Sequence, residues 1–221
     1  MDWTALWLSL ELAAATAALL LPLSVLLARE LAWRRFVGKA AVEALVALPL
    51  VLPPTVLGYY LLVVFAPQSA LGQAFAVLTG GTLAFSFAGL LAASIVFNLP
   101  FAVQPVQRAF ESVPEEVREA AWLCGMSSWR TLWQVELPLA WPGLLTAFVL
   151  TFAHTLGEFG VVLMVGGNIP GETKTVAIAI YDRVQALDDR AAGVMSAVLL
   201  AISFVSIAVI YRLDRARRRR G

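Results

Sequence analysis

One histidine and a few acids stand where side-chain chemistry could occur. His154 and Glu158 lie four residues apart inside an apolar stretch. On one continuous helix they would share a face, with their Cβ atoms about 6 Å apart. Such a pair can change charge near neutral pH, clasp one span to its neighbours, or meet an anion directly. An ionised acid in hydrocarbon costs at least ~3 kcal/mol on insertion scales, so a partner for Glu158 is expected. Glu11 and Glu43 are further acids at the edges of apolar segments. Other chemistries find no residues. Cys124 is the single cysteine, which excludes a disulfide framework and a cysteine-based metal site. No G-x-x-x-x-G-K-[ST] phosphate loop occurs, and Gly80-Gly81 is not followed by Lys. The sequence therefore assigns no catalytic residue, no metal site and no cofactor to this chain, and any phosphoryl chemistry must come from a partner.

The elements that position these residues are membrane helices. The chain has 221 residues, 60% hydrophobic and 14% charged, with a mean hydropathy of +0.81. A soluble domain is nearer half apolar and about a quarter charged. This chain lacks the polar surface to cover a water-soluble globule, and it has no disorder signature. Its net charge of +1 gives no global field for nucleic acid.

A spanning helix needs about 20 mostly apolar residues. Residues 12–28, 44–107, 137–157 and 191–211 carry no Asp, Glu, Lys or Arg, and the second of these stretches is long enough for two spans. The pattern predicts an all-α polytopic membrane protein with five spans, near 4–28, 40–65, 82–104, 140–165 and 193–212. These form one transmembrane domain over 1–221. The first helix is too long, and too poor in basic residues at its start, to read as a cleaved signal peptide. Thirteen of the sixteen Lys and Arg fall on one side: Arg29, Arg34, Arg35, Lys39, Arg108, Arg118, Arg130 and six arginines at 212, 215 and 217–220. Lys174, Arg183 and Arg190 fall on the other. The positive-inside rule then places the N-terminus outside and the C-terminus in the cytoplasm, with the arginine tail as a topology anchor. The 66–81 and 166–192 segments face outward, and 105–139 faces the cytoplasm.

That cytoplasmic segment reads as ordered. Ser112-Val113-Pro114-Glu115 has the spacing of a capping box with Pro in the first turn. A helix is predicted from there to about Cys124, with Val117, Ala120, Ala121 and Cys124 on one face. Gly125 is a plausible stop. Ser127 or Ser128 can cap a second short helix through Trp129, Leu132 and Trp133, which Pro138 cuts before the fourth span. On composition alone this could be an interfacial hairpin with Trp122, Trp129 and Trp133 at the headgroups.

The spacing points elsewhere. Glu119-Ala120-Ala121, three residues, Gly125, nine residues, Val135, one residue and Leu137-Pro138 resemble the EAA loop of ABC importer permeases. That family usually has Ile where Val135 stands. Leu48-Pro49-Leu50-Val51-Leu52-Pro53-Pro54-Thr55-Val56, Leu156-Gly157-Glu158-Phe159-Gly160 and Asn168-Ile169-Pro170-Gly171-Glu172-Thr173-Lys174-Thr175 resemble the molybdate permease family, and the resemblance covers about 5–212. Sulfate/thiosulfate permeases share the Gly-Glu-Phe-Gly and Gly-Glu-Thr pieces.

The resemblance implies a type I ABC importer permease of the bacterial inner membrane that works as a homodimer. It also implies two ATPase subunits carrying Mg-ATP and a periplasmic molybdate-binding protein. Glu119, Ala120, Ala121, Gly125, Leu137 and Pro138 would serve docking to the ATPase. Pro53, Pro54, Thr55, His154, Gly157, Glu158 and Gly160 are pathway or gate candidates. Asn168, Pro170, Gly171, Glu172 and Thr173 are candidates to face the binding protein. Plainer readings stand beside these: prolines that only kink a span, glycines that only allow close packing, Ser86, Ser94, Asn98 and Thr151 as helix–helix glue, and an outer loop that is only a turn. No Lys or Arg lies deep in a span, so a dianion path would discriminate poorly between molybdate, tungstate and sulfate. Another class of function is a secondary transporter coupled through Glu158, Glu43 or Glu11, although no inverted repeat is visible. A non-transporting membrane scaffold is a third.

Overall fold

The computed structural model describes residues 1–218, with side chains through Val209 and that of Arg212. Of the expected arginine anchor, Arg219 and Arg220, and the side chains of Arg215, Arg217 and Arg218, lie outside the described residues. The described residues are helical with connecting turns. Helix α1 (Trp3–Trp33) starts at Asp2, whose carboxylate accepts the Ala5 N–H at 3.0 Å. It pairs with α5 (Phe87–Glu111) and α8 (Leu137–Gly157) in a three-helix core. Ala28, Leu31, Val103, Val106, Phe110, Ala140, Leu144 and Ala147 fill that core towards the cytoplasmic end. Gly143 sets the closest approach, since a Cβ there would stand 2.7 Å from the Pro105 carbonyl and would also collide with the Ala109 methyl. Small residues at such crossings let membrane helices pack through their backbones.

Among the described residues, four helices are long and apolar enough to cross a membrane, or five where a bent pair is taken as one broken span. The straight ones contain Trp3–Trp33, Phe87–Glu111, Ser128–Gly157 and Asp189–Val209, the last belonging to α11 (Asp189–Arg218). The bent pair is α2 (Lys39–Val51) and α3 (Pro54–Phe65), whose axes differ by 113°. The expected span 40–65 is therefore no single rod. Consecutive prolines at 53 and 54 deny the helix two N–H donors and hold Pro53 at ψ 135°. An unexpected helix, α4 (Ala70–Thr79), occupies the outer loop, started by Ser69, whose hydroxyl accepts the Gly72 N–H.

The expected fourth span, 140–165, also breaks. Helix α8 stops at Gly157, Glu158 is extended (φ −69°, ψ 129°), and α9 (Gly160–Gly166) resumes after Phe159. The breaks of the two spans meet. Gly160 lies against Pro54, and Gly58 lies against Met164 and the Val161 backbone, so α3 packs on α9. After an outer loop, α10 (Val176–Gln185) is fastened to α1 where the Val176 N–H donates to Ser9 Oγ at 2.8 Å.

A methyl group at Gly160 would sit 2.7 Å from Pro54 Cβ, a ring atom that cannot swing aside, whereas one at Gly157 meets nothing within 4 Å. Gly160→Ala should lower stability by about 1–3 kcal/mol, the usual overpacking range. Gly157→Ala should leave it nearly unchanged. Thermal unfolding of the purified chain in detergent compares the two, and equal midpoints would contradict the packing described.

Candidate transport and coupling sites

The outer site is built at the two helix breaks. Glu158 is buried, and its Oε1 accepts the Val161 N–H at 2.9 Å, which caps the first turn of α9. Pro53, Pro54, Thr55 and Gly157 are exposed around this junction, and Gly160 is half-buried under Pro54. The structure thus brings Pro54, Glu158 and Gly160 together and leaves a rim of Pro53, Thr55 and Gly157 open on the surface of the single chain.

His154 is not part of that junction. Its Nδ1 lies 3.0 Å from Asn98 Oδ1, and its ring stacks on Phe101 (4.0 Å between centroids) and Phe97 (4.9 Å). The Asn98 amide nitrogen donates to the Ser94 carbonyl at 2.8 Å. Its oxygen therefore faces the ring, and Nδ1 is the donor. The expected His154–Glu158 pair does not form. The helix ends at Gly157, so the i, i+4 register that would join the two side chains no longer exists at Glu158. Each polar group takes a different partner.

At the cytoplasmic end, α6 (Glu115–Leu123) is the predicted short helix. Its start differs from the expected capping box. Helix α5 runs on to Glu111, Ser112 becomes its C-cap, and the Ser112 hydroxyl donates back to Ala109. Pro114 is the N-cap of α6, with no side-chain hydrogen bond. The end matches the expectation. Gly125 takes φ +79°, its N–H reaches the Trp122 carbonyl at 2.9 Å, and the Met126 N–H reaches Ala121 at 3.1 Å. This is a Schellman closure, which favours glycine at the left-handed position. The predicted apolar face is mostly unpacked. Ala121 is buried, but Val117, Glu119, Ala120, Cys124 and Gly125 are exposed, and Leu123 is 90% exposed.

Ser127 caps α7 (Ser128–Thr131) through the Arg130 N–H. Pro138 does not cut the helix as expected. A π-helical turn, Leu132–Glu136, joins α7 to α8, and the Leu137 N–H bonds five residues back to Leu132. This wider turn leads into Pro138 at the start of α8, where a residue without an N–H is tolerated.

The π turn carries a residue whose importance sequence spacing did not reveal. Glu136 is completely buried. Arg29 of α1 grips both its oxygens, with Nε at 2.7 Å and an Nη at 3.1 Å, and the same Nη reaches Ser128 Oγ at 3.0 Å. Arg118 of α6 approaches Glu136 with Nε at 3.4 Å and lies over the Trp33 ring, 3.5 Å from its centroid. Trp33 in turn packs on Phe110. Arg29 and Arg118 stand in the sequence among charges that set topology. The available signal was one carboxylate between Val135 and Leu137 in an apolar helix start, since a buried carboxylate requires cations.

In the outer loop, Asn168 and Lys174 both hold Asp182 of α10, the amide at 3.0 and 3.1 Å and the ammonium at 2.6 Å. Thr173 is buried inside the loop; its hydroxyl donates to Gly166 and accepts the Ile169 N–H. Asn168, Pro170, Gly171 and Glu172 are exposed.

Two broken spans are seated on each other at one end, and a short helix with an open face lies at the other. Residues 20–220 match the family described as binding-protein-dependent transport system inner membrane component. The chain belongs to this family. The permease is 49% identical to the molybdenum transport system permease protein ModB of Azotobacter vinelandii, over 97% of this chain and 95% of that protein. It is 36% identical to a probable sulfate transport system permease protein, cysT, of Zygnema circumcarinatum, over 88% of this chain and 69% of that one. Its fold matches a chain of the bacterial alginate ABC transporter in complex with an alginate pentasaccharide-bound periplasmic protein, with a TM-score of 0.76 at 17% identity over 96% of the permease and 78% of that chain.

The outer clasp has a definite pH response. The modest burial of Asp182 pushes its carboxyl up, but hydrogen bonds from Lys174 and Asn168 and the charges of Lys174 and Arg183 outweigh this and hold it below the usual carboxylate range. A depressed folded-state value stabilises the clasp above the unfolded value, about pH 4, and that contribution is lost as pH falls through the folded value. Amide exchange over 168–175, corrected for intrinsic rates, should stay flat from about pH 8 to 5 and rise only below about pH 4. In Asp182→Asn the loop should exchange faster near neutrality and lose the acid step. A step near pH 6 in the parent would assign the clasp to another group.

Proposed function

We propose that this chain is the membrane-spanning subunit of an ATP-driven molybdate importer. Two copies form the translocation pathway, two separate ATPase subunits bind Mg-ATP, and a periplasmic binding protein delivers the ion. The observation that carries the reading of the substrate is the 49% identity to a molybdenum permease along 97% of the chain. The open face of α6 around Glu119, Ala120 and Gly125 supports the reading of the ATPase contact. Closure of the ATPases on ATP moves α6 and opens the pathway outward. Thr55 and Gly157, exposed beside the bend where α3 begins, are the proposed rim of the pathway. The positive end of a half-helix suits an oxyanion there. The exposed Asn168, Pro170, Gly171 and Glu172 form the proposed contact with the binding protein, while buried Thr173 shapes that loop from within.

A second reading, sulfate on the same machine, is favoured by the 36% identity to a probable sulfate permease. Uptake of labelled molybdate into vesicles, competed by excess sulfate, separates the two. Uptake that sulfate abolishes would overturn the molybdate assignment.

Docking has its own test. Glu119→Lys reverses a charge on the open face of α6. Gly125→Val forces a β-branched residue to φ +79°, which costs roughly 1–2 kcal/mol and loosens the turn. Both variants should insert normally yet lose binding-protein-stimulated ATP hydrolysis and transport. Parental activity in both would remove α6 as the docking element.

A further inference from the structure

The ion cluster around Glu136 joins three elements: the inner end of α1, the coupling helix α6 and the π turn that opens α8. Its two arginines are held differently. Arg29 clamps Glu136 with a two-point fork at 2.7 and 3.1 Å, and it is further fixed to Ser128 by its Nη. Arg118 makes one long contact to Glu136 at 3.4 Å and lies between two aromatic rings, Trp33 of α1 at 3.5 Å and Trp122 of its own helix at 5.1 Å. A forked charge pair fixes geometry. A guanidinium over a ring face is attracted with little directional demand. Contacts of the first kind fix position, and contacts of the second leave room for displacement, although Arg29 also lies 5.7 Å from the Trp33 centroid.

Little else fastens α6 to the body of the protein. Among the described residues Arg118 is the α6 side chain with an ion pair, and Ala121 is its buried apolar residue. A displacement of α6 therefore reaches the spans through its two backbone ends, through the packing of Ala121 and through Arg118. Those ends lead to α5 and to α7, whereas Arg118 leads to Trp33 and, through Glu136 and Arg29, to α1.

We propose that Glu136, pinned by Arg29 and sliding against Arg118, is the joint that transmits movement of the coupling helix to the first span. Glu136 and Arg118 are then positioning residues for coupled transport. This rests on the reading of α6 as the ATPase contact. The joint lies outside the exposed docking face, on its opposite, buried side.

Arg118→Met is the discriminating variant. It keeps an unbranched stem against Trp33 and leaves Glu136 paired with Arg29, so no buried charge is orphaned. The whole transporter, with its ATPase and binding protein, is reconstituted in proteoliposomes, and ions imported are divided by ATP hydrolysed. Arg118→Met should retain the ATPase and its thermal midpoint but lower that ratio by roughly fivefold, within the range for mutations along coupling networks. Arg118→Lys keeps the charge without the planar stack and should recover part of the ratio. A parental ratio in Arg118→Met overturns the joint while leaving docking intact. If Arg118→Met fails to retain the ATPase, Arg118→Lys decides, and a parental ratio there overturns the joint. A parent chain that retains no ATPase overturns both readings.

Discussion

Hydrocarbon supplies no hydrogen bonds, so every interruption of a spanning helix must be closed by the protein itself. This constraint organises the outer half of the permease, where two spans are interrupted at neighbouring places. At the first break the chain removes donors, because Pro53 and Pro54 have no N–H, and the Pro53 carbonyl accepts from both Val56 and Leu57. At the second it adds an acceptor, the buried carboxylate of Glu158 on the Val161 N–H. Glycines at 58 and 160 let the repaired breaks sit directly against each other. A bend of 113° thus sits directly against a second broken span.

The same rule governs charge at the cytoplasmic end. A buried carboxylate is tolerable when cations and hydrogen-bond donors surround it, and Glu136 has Arg29 and Arg118. Meeting that demand draws α1, α6 and α8 into one contact and turns the other side of α6, with Glu119, Ala120 and Leu123, outward. In a soluble protein an exposed Leu123 beside Val117 and Trp122 would be a liability. Exposed apolar surface of this kind is what interaction sites present.

Polar side chains within the spans are settled in different ways, and Thr16, Ser94 and Thr151 hold buried hydroxyls with no hydrogen-bond partner. Asn98 and His154 satisfy each other across α5 and α8, with Phe97 and Phe101 covering the ring. Glu158 turns to backbone. The acid once paired with the histidine by spacing is a helix cap, and the histidine is helix–helix glue. A secondary transporter that moves ions through Glu158 is displaced as a reading by the family match and by this capping geometry.

The sequence by itself determined how many apolar segments there are, where prolines at 53 and 54 remove helix donors, and where the short helix α6 ends at Gly125. These are local properties: hydropathy over about 20 residues, the missing N–H of proline, and the freedom of glycine at positive φ. Only the tertiary structure decided which polar group meets which. Arg29 finds Glu136 across 107 residues and His154 finds Asn98 across 56. It also decided that Ser112 ends one helix instead of starting the next, and that a π turn carries the chain through Pro138. Spacing along a chain predicts partners only while one helix continues. Once a helix stops, at Gly157 or Glu111, the partner is whatever the packed neighbours place within reach.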